Sequence, residues 1–275
     1  MWRVEDGKQM AAVEAMDVRC LAVSMDGRWI AAGTKFGDVI VWDAETYEKV
    51  ISHKEDHIHI DGVDFSPDST CLVSASTHWT TIWYVATRQQ GRTLDHWDSA
   101  RATKYSPQGD RIATAGPHSV RVWDSSNGRV LVDIKVTVTP WYNTGLLWCN
   151  NYLFVMSDSK IKQIEASTGS VVSEWPVPDS INLSCIALPK HGKFIVSSTQ
   201  RAVIFWDTAT HTQLGLIQHP QDIRSIALSP RDRFLAIGGE DGKISIHGLF
   251  PITVSVLSRW IVVHTNNLLA PIIFP

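Results

Sequence analysis

Trp42, Trp83, Trp123 and Trp206 stand 41, 40 and 83 residues apart, and each follows a β-branched or aromatic residue: Val41-Trp42-Asp43, Ile82-Trp83-Tyr84, Val122-Trp123-Asp124 and Phe205-Trp206-Asp207. A long step of twice the short one leaves room for a degenerate copy at Ile164, and one further period reaches His247. One period before Trp42 lies Trp2. A fixed period of about 41 residues is the signature of a stacked or radial repeat, because such a unit cannot bury its apolar face alone.

Two further landmarks keep the same time. Val23-Ser24-Met25-Asp26-Gly27, Phe65-Ser66-Pro67-Asp68-Ser69, Tyr105-Ser106-Pro107-Gln108-Gly109 and Leu228-Ser229-Pro230-Arg231-Asp232 are turn sequences after a strand. Behind the beats come Glu5-Asp6-Gly7, Ser126-Asn127-Gly128 and Ser167-Thr168-Gly169. The runs between turns, such as Trp29-Ile30-Ala31-Ala32 and Ser119-Val120-Arg121-Val122-Trp123, are too short for helices and rich in β-branched residues. Each period therefore holds about four strands, which predicts an all-β chain of propeller blades.

The Trp-Asp dipeptides at Trp42, Trp123 and Trp206, with the Phe65-Ser66-Pro67-Asp68 turn, resemble the WD40 repeat family over residues 1 to about 249. The resemblance implies blades of strands a to d with the Trp late in strand c, and a platform for other macromolecules. Thr139-Pro140-Trp141-Tyr142 and Leu188-Pro189-Lys190-His191-Gly192 also resemble WD40 regions of large fungal proteins that carry NACHT or TPR modules. The family's polar tetrad of His, Ser or Thr, Asp and Trp is complete in no repeat. The third offers His96, Thr114 and Trp123, and the sixth offers His219 and Asp241 with His247 in place of the Trp.

Six repeats are expected at 17–56, 57–97, 98–141, 142–180, 181–220 and 221–257, with 1–16 as end strands of a split blade and 258–275 as an apolar tail. If the two termini share a blade, seven blades close and no sheet edge is left bare. The tail stays open between closing strands and a helix, and the array between complete and incomplete. The chain is expected to be one β-propeller domain.

Composition excludes several functions. Twenty-five basic against 28 acidic residues, with no long run of one sign, disfavours a nucleic-acid footprint. The stretch from Ile252 to Phe274 is broken by Arg259, His264, Asn266, Asn267 and Pro271, a poor bilayer span. Cys20, Cys71, Cys149 and Cys185 form no CxxC pair and read as small buried hydrophobes. The acidic start of the chain argues against a signal peptide and for an intracellular, cytoplasmic setting.

No GxSxG elbow and no GxxxxGK[ST] loop occurs. Gly238-Gly239-Glu240-Asp241-Gly242 joins two predicted strands and reads as a hairpin. His57 and His59 alternate onto one face if extended, which allows a metal-dependent sensor or propeller enzyme as an alternative, but two ligands alone make no site. No cofactor is expected, and no catalysis.

The remaining aromatics point to binding. Phe36, Trp79, Trp97, Trp141 and Tyr142 fall in turns between b and c or between d and a, which open at the same end of a blade. Exposed aromatics on a rigid platform make binding hot spots. With His118, Arg201 and Asp241 as polar neighbours, beside His78 and Gln200, they mark the expected contact face for a protein or peptide partner. Trp42, Trp83, Trp123 and Trp206 are assigned a structural role. The expected function is a non-catalytic scaffold within a larger protein or complex, the other alternative being a truncated structural remnant.

Overall fold

The structure is a computed structural model that describes residues 12–54, 59–77, 79–96, 99–138, 145–157, 160–177, 185–189, 192–229 and 231–249, and the backbone of 260–263. The first sheet comprises β1 (Val18–Val23), β2 (Trp29–Thr34), β3 (Asp38–Asp43) and β4 (Lys49–Lys54). The second holds β5 (Ile60–Phe65), β6 (Cys71–Ser76), β7 (Trp79–Tyr84) and β8 (Gln89–Asp95). The third holds β9 (Ala102–Tyr105), β10 (Arg111–Ala115), β11 (Ser119–Asp124) and β12 (Val130–Lys135). The fourth holds β13 (Leu146–Cys149), β14 (Tyr152–Ser157), β15 (Lys160–Glu165) and β16 (Val171–Pro176). The fifth holds β17 (Cys185–Ala187), β18 (Phe194–Ser198), β19 (Ala202–Asp207) and β20 (Gln213–Gln218). The sixth holds β21 (Ile223–Leu228), β22 (Phe234–Gly239), β23 (Ile244–Gly248) and β24 (Trp260–Val263). Every pairing is between strands adjacent in the chain and antiparallel, so each sheet is a meander in the order a, b, c, d.

Seven blades are not what the chain forms: the described residues make six four-stranded sheets. The reason lies at the end of the chain. The edge of β23 is paired with the tail strand β24 in the register Ile244↔Val263 to His247↔Trp260, so the apolar tail completes the sixth sheet. A strand already used to cover that edge is not there for a shared seventh blade. Residues 1–11, which hold Trp2 and the other half of that expectation, lie outside the described residues.

Residues Ala15–Pro178, with the first four sheets, form one compact unit, and the fifth and sixth sheets belong to a second. In the first unit the core lies between neighbouring sheets. Trp83 of the second sheet joins Val39, Val41 and Ile51 of the first in one buried cluster, and Trp123 of the third joins Val73, Ile82 and Leu94 of the second. The second unit repeats this with Val196, Val203 and Phe205 against Ile226, Leu235 and Ile237. The middle strands b and c are covered on both faces, which explains their near-continuous apolar runs. The outer strands β12, β16 and β20 bury little and read as alternating or polar.

The beat residues sit where the repeat needs a bend. A register shift between strands c and d falls at Trp42, Trp83, Trp123, Ile164 and Trp206. There the strand twists into a tight turn. The following Asp ties it: Asp43 Oδ1 accepts from the N–H groups of Glu45 and Thr46 at 2.9 and 3.0 Å, and Asp207 Oδ1 accepts from Ala209 and Thr210 at 2.9 and 2.8 Å. These bonds hold both carboxyls below the ordinary carboxylate range.

The turns between a and b are equally regular. Ser24, Ser66, Ser106 and Ser229 each accept the backbone N–H that opens strand b, and the residues three further on, Gly27, Ser69, Gly109 and Asp232, all have φ between 54° and 79°. Of the cysteines, Cys20 and Cys185 are buried, whereas Cys71 and Cys149 are only half-buried, which corrects the uniform expectation. Burial pushes the Cys20 thiol up to about 12. Among the described residues no helix is long and apolar enough to cross a membrane.

Candidate functional site

Antiparallel order places the b–c turns and the d–a connections at one end of each sheet. In the first sheet, Thr34 Oγ1 donates to Asp38 Oδ2 at 2.7 Å and accepts from the N–H groups of Phe36 and Asp38, with Gly37 at φ 88°. That closed turn holds the Phe36 ring 47% exposed. In the second sheet, Ser76 Oγ donates to the Trp79 carbonyl at 2.8 Å and accepts its N–H at 3.2 Å, leaving the indole 45% exposed. Both aromatics are pushed into solvent by turns that are themselves hydrogen-bonded. His118 is exposed on the β10–β11 turn, whose carbonyl accepts from Val136 N–H at 3.2 Å.

The second unit has its own group at the same end of its sheets. Asp222, leading into β21, accepts Gln200 Nε2 at 2.7 Å and Arg201 Nε at 2.9 Å, so these two exposed side chains clamp the next sheet. The two bonds hold the Asp222 carboxyl below its ordinary range. Asp241 accepts the Lys243 N–H at 3.1 Å and pairs with Lys243 Nζ at 3.4 Å. Trp97, Trp141, Tyr142, His57 and His78 lie outside the described residues. His59 presents Nδ1 to the Lys35 carbonyl, tying the entry of the second sheet to the turn that carries Phe36. No cluster of three or more potential metal ligands occurs among the described residues.

Sequence reasoning missed the charged residues on the inner strands. Strand a is bulged at Arg19, Asp61 and Arg224, each at the same offset in its repeat. A bulge re-aims the extra side chain. Arg19 Nε meets Asp61 Oδ1 at 2.9 Å with both side chains largely covered. Burial raises the Asp61 carboxyl, opposed by Arg19, His59 and Arg101. The signal was a charge straight after a β-branched residue at a repeat-wide interval, in Val18-Arg19, Ile60-Asp61 and Ile223-Arg224.

The structural tryptophans behave alike where strand b carries a hydroxyl. Trp83 Nε1 donates to Ser74 Oγ at 2.8 Å, Trp123 to Thr114 Oγ1 at 2.8 Å and Trp206 to Ser197 Oγ at 2.9 Å, all buried. His96 is buried with its ring 6.5 Å from that of Trp123. The same strand-b position holds Ala32 in the first sheet, two residues along from Ile30, the partner of Trp42.

A family model, WD domain, G-beta repeat, matches residues 9–43, 88–124 and 211–247. Those residues carry WD40 repeats. The second and third WD40 matches each start in strand d of one sheet and end in strand c of the next, so a sequence repeat straddles two blades. Cilia- and flagella-associated protein 52 of Macaca fascicularis is 25% identical over 253 residues, covering 83% of this chain and 44% of that protein. Transcriptional corepressor LEUNIG_HOMOLOG of Arabidopsis thaliana is 23% identical over 282 residues, covering 84% and 35%. The chain thus spans less than half the length of these WD40 relatives. Among solved structures, the β-propeller domain of Myceliophteria thermophila Cps50 (Swd1) superposes with a TM-score of 0.74 at 14% identity, covering 87% of this chain and 84% of that one. That likeness gives the fold, a β-propeller.

The sixth WD40 unit departs at its beat. His247 is buried where the Trp would stand, with Nε2 3.2 Å from Ser245 Oγ. Burial, then the neighbouring His219, lowers its affinity for a proton below the ordinary 6.5. The unfolded chain then binds the proton more readily than the folded one, so stability present above about 6.5 is lost as pH falls. The melting temperature should drop between pH 7 and about pH 5, and His247→Phe should flatten that drop. Identical pH profiles for the two proteins would refute the assignment.

Proposed function

We propose that this chain is a non-catalytic binding module whose b–c turns meet a protein partner, as one part of a larger protein or complex. The observation that carries the reading is the two half-exposed rings of Phe36, on the turn fixed by Thr34, and Trp79, which opens β7 beside Ser76. Large rings held in place lose little entropy on binding, which is what a hot spot requires. His118, exposed on the β10–β11 turn, adds a polar candidate in the same unit. Relatives named for cilia and flagella and for transcriptional corepression, both much longer than this chain, support a role inside assemblies. Four free cysteines fit an intracellular setting.

The test is capture of partners by the tagged chain, compared with Phe36→Ala/Trp79→Ala. The double variant should melt within about 2 °C of the parent, since exposed substitutions cost little, and should lose the partners the parent retains. Retention of the same partners would overturn the reading. The alternative of a metal-dependent sensor rests on His57, outside the described residues, and on His59, whose Nδ1 already faces the Lys35 carbonyl.

A further inference from the structure

At the opposite end of the sheets from Trp79, in the first unit, a cavity of about 190 Å³ opens between the second and third sheets. Its walls come from the β5–β6 turn (Ser66 to Thr70), from Cys71, Ile82 and Tyr84, and from Tyr105 with the β9–β10 turn. Tyr105 is 8% exposed and lines the cavity; its backbone N–H donates to Asp64 Oδ2 at 2.8 Å, and its hydroxyl has no hydrogen-bond partner among the described residues. The hydroxyl itself is reached by solvent through the cavity, so it can donate or accept there. At the mouth, Asp68 Oδ1 accepts from Ser66 Oγ at 2.6 Å and from Thr70 Oγ1 and N at 2.8 and 3.1 Å. Its Oδ2 accepts from nothing among the described residues, and no basic side chain pairs with it.

The chemistry narrows the occupant. The Ser66 and Thr70 bonds hold the Asp68 carboxyl below its ordinary range, so it is ionised. Burial pushes the Tyr105 phenol up; of the neighbours that add to this, the Cys71 thiol is uncharged and Asp64 is paired with Lys104 Nζ at 2.8 Å, which leaves the exposed Asp68 carboxylate as the negative charge at the cavity. An anion is repelled, and a metal ion finds one carboxylate oxygen where it needs several ligands. The volume, room for about six waters, is below that of cofactor pockets but holds the five side-chain atoms of a lysine. A single free carboxylate oxygen suits the point charge of an ammonium rather than the fork of a guanidinium. Tyr84, 48% exposed, offers its ring at the rim to the aliphatic stem.

We propose that this cavity is a receptor for one lysine side chain of a partner protein, with the ammonium between Asp68 Oδ2 and the Tyr105 hydroxyl. It is separate from the b–c turns and stands whether or not they bind.

The test titrates the full chain, carrying ¹³C-labelled tyrosine rings, with Nα-acetyl-lysine methylamide. The Tyr84 and Tyr105 signals should shift saturably with a Kd of order 1–10 mM, as for a lone side chain. Asp68→Asn, which keeps an oxygen acceptor for Ser66 and Thr70, should weaken binding about tenfold, as loss of a charged hydrogen bond does. Tyr105→Phe should weaken it about fivefold at an unchanged melting temperature, with Tyr84 as the reporter. The Nε-acetylated and norleucine analogues should shift neither ring. No saturable shift in the parent, equal shifts from norleucine, or unchanged affinity in Asp68→Asn would each overturn the proposal.

Discussion

Replacing Trp123 by alanine lowers the melting temperature by about 10 °C, whereas the same change at Trp79 leaves it within about 2 °C. Trp123 is 3% exposed and lies in one cluster with Val73, Ile82 and Leu94 of the neighbouring sheet. Truncating a buried Trp costs about 3–5 kcal/mol in lost transfer energy and cavity. The change also leaves Thr114 Oγ1 without its indole donor, a smaller penalty of about 1 kcal/mol. Each kilocalorie shifts the melting point of a domain this size by about 2–4 °C. Trp123→Phe separates the contributions: it keeps most of the ring volume, loses the N–H, and should recover more than half of the loss. Thermal unfolding followed by circular dichroism reads all three variants. Equal destabilisation by Trp79→Ala and Trp123→Ala would show that beat and turn residues play the same part, and the proposed contact face would lose its basis.

The beat tryptophans were legible in the sequence as a set, because a repeat of fixed period separates residues that keep the beat from those that do not. What periodicity encodes is a unit that recurs, so the strands, the Ser-led turns and the Asp-tied c–d turns were all readable from residues such as Ser66, Asp43 and Asp207. The number of blades was not. It depends on which strand covers the last open edge, and β24 has no beat, no Ser turn and no fixed spacing from β23. An apolar tail of that kind fits equally well as an outer strand or as part of a further blade.

The site was legible to a smaller degree. Turn position could be inferred for Phe36, whereas Trp79, expected in the turn of its own repeat, is the first residue of β7, at the same end of the sheet. Arg201 reads as a contact residue in one dimension but is committed to Asp222 in three, because the partner comes from the following repeat. Arg19, Asp61 and Arg224 were missed for a related reason: a bulge breaks the period-2 rule that assigns a residue to a face. The cavity beside Tyr105 draws on two repeats at once, and no motif within one repeat announces it.

The close approach of the first two sheets rests on one missing side chain. A Cβ on Gly33 would lie 2.4 Å from Ile60 Cγ2, 2.6 Å from Cys20 Sγ and 2.8 Å from Ile60 Cβ, all inside contact distance. Cys20 and Ile60 belong to the buried cluster that joins the two sheets, and Cys20 Sγ reaches the Ile60 carbonyl at 3.5 Å, so neither is free to swing aside. Gly33→Ala should therefore destabilise by about 2–3 kcal/mol, although alanine is no worse than glycine for the strand itself. Ile60→Ala alone should cost about 2–4 kcal/mol as a cavity. Combined, the two should cost at least about 1 kcal/mol less than their sum, because the smaller side chain at 60 gives the new methyl its space. Chemical denaturation of the four proteins measures that coupling. Simple additivity would mean that Gly33 and Ile60 do not share the space between these sheets, and the account of how neighbouring repeats bury their apolar faces would have to change.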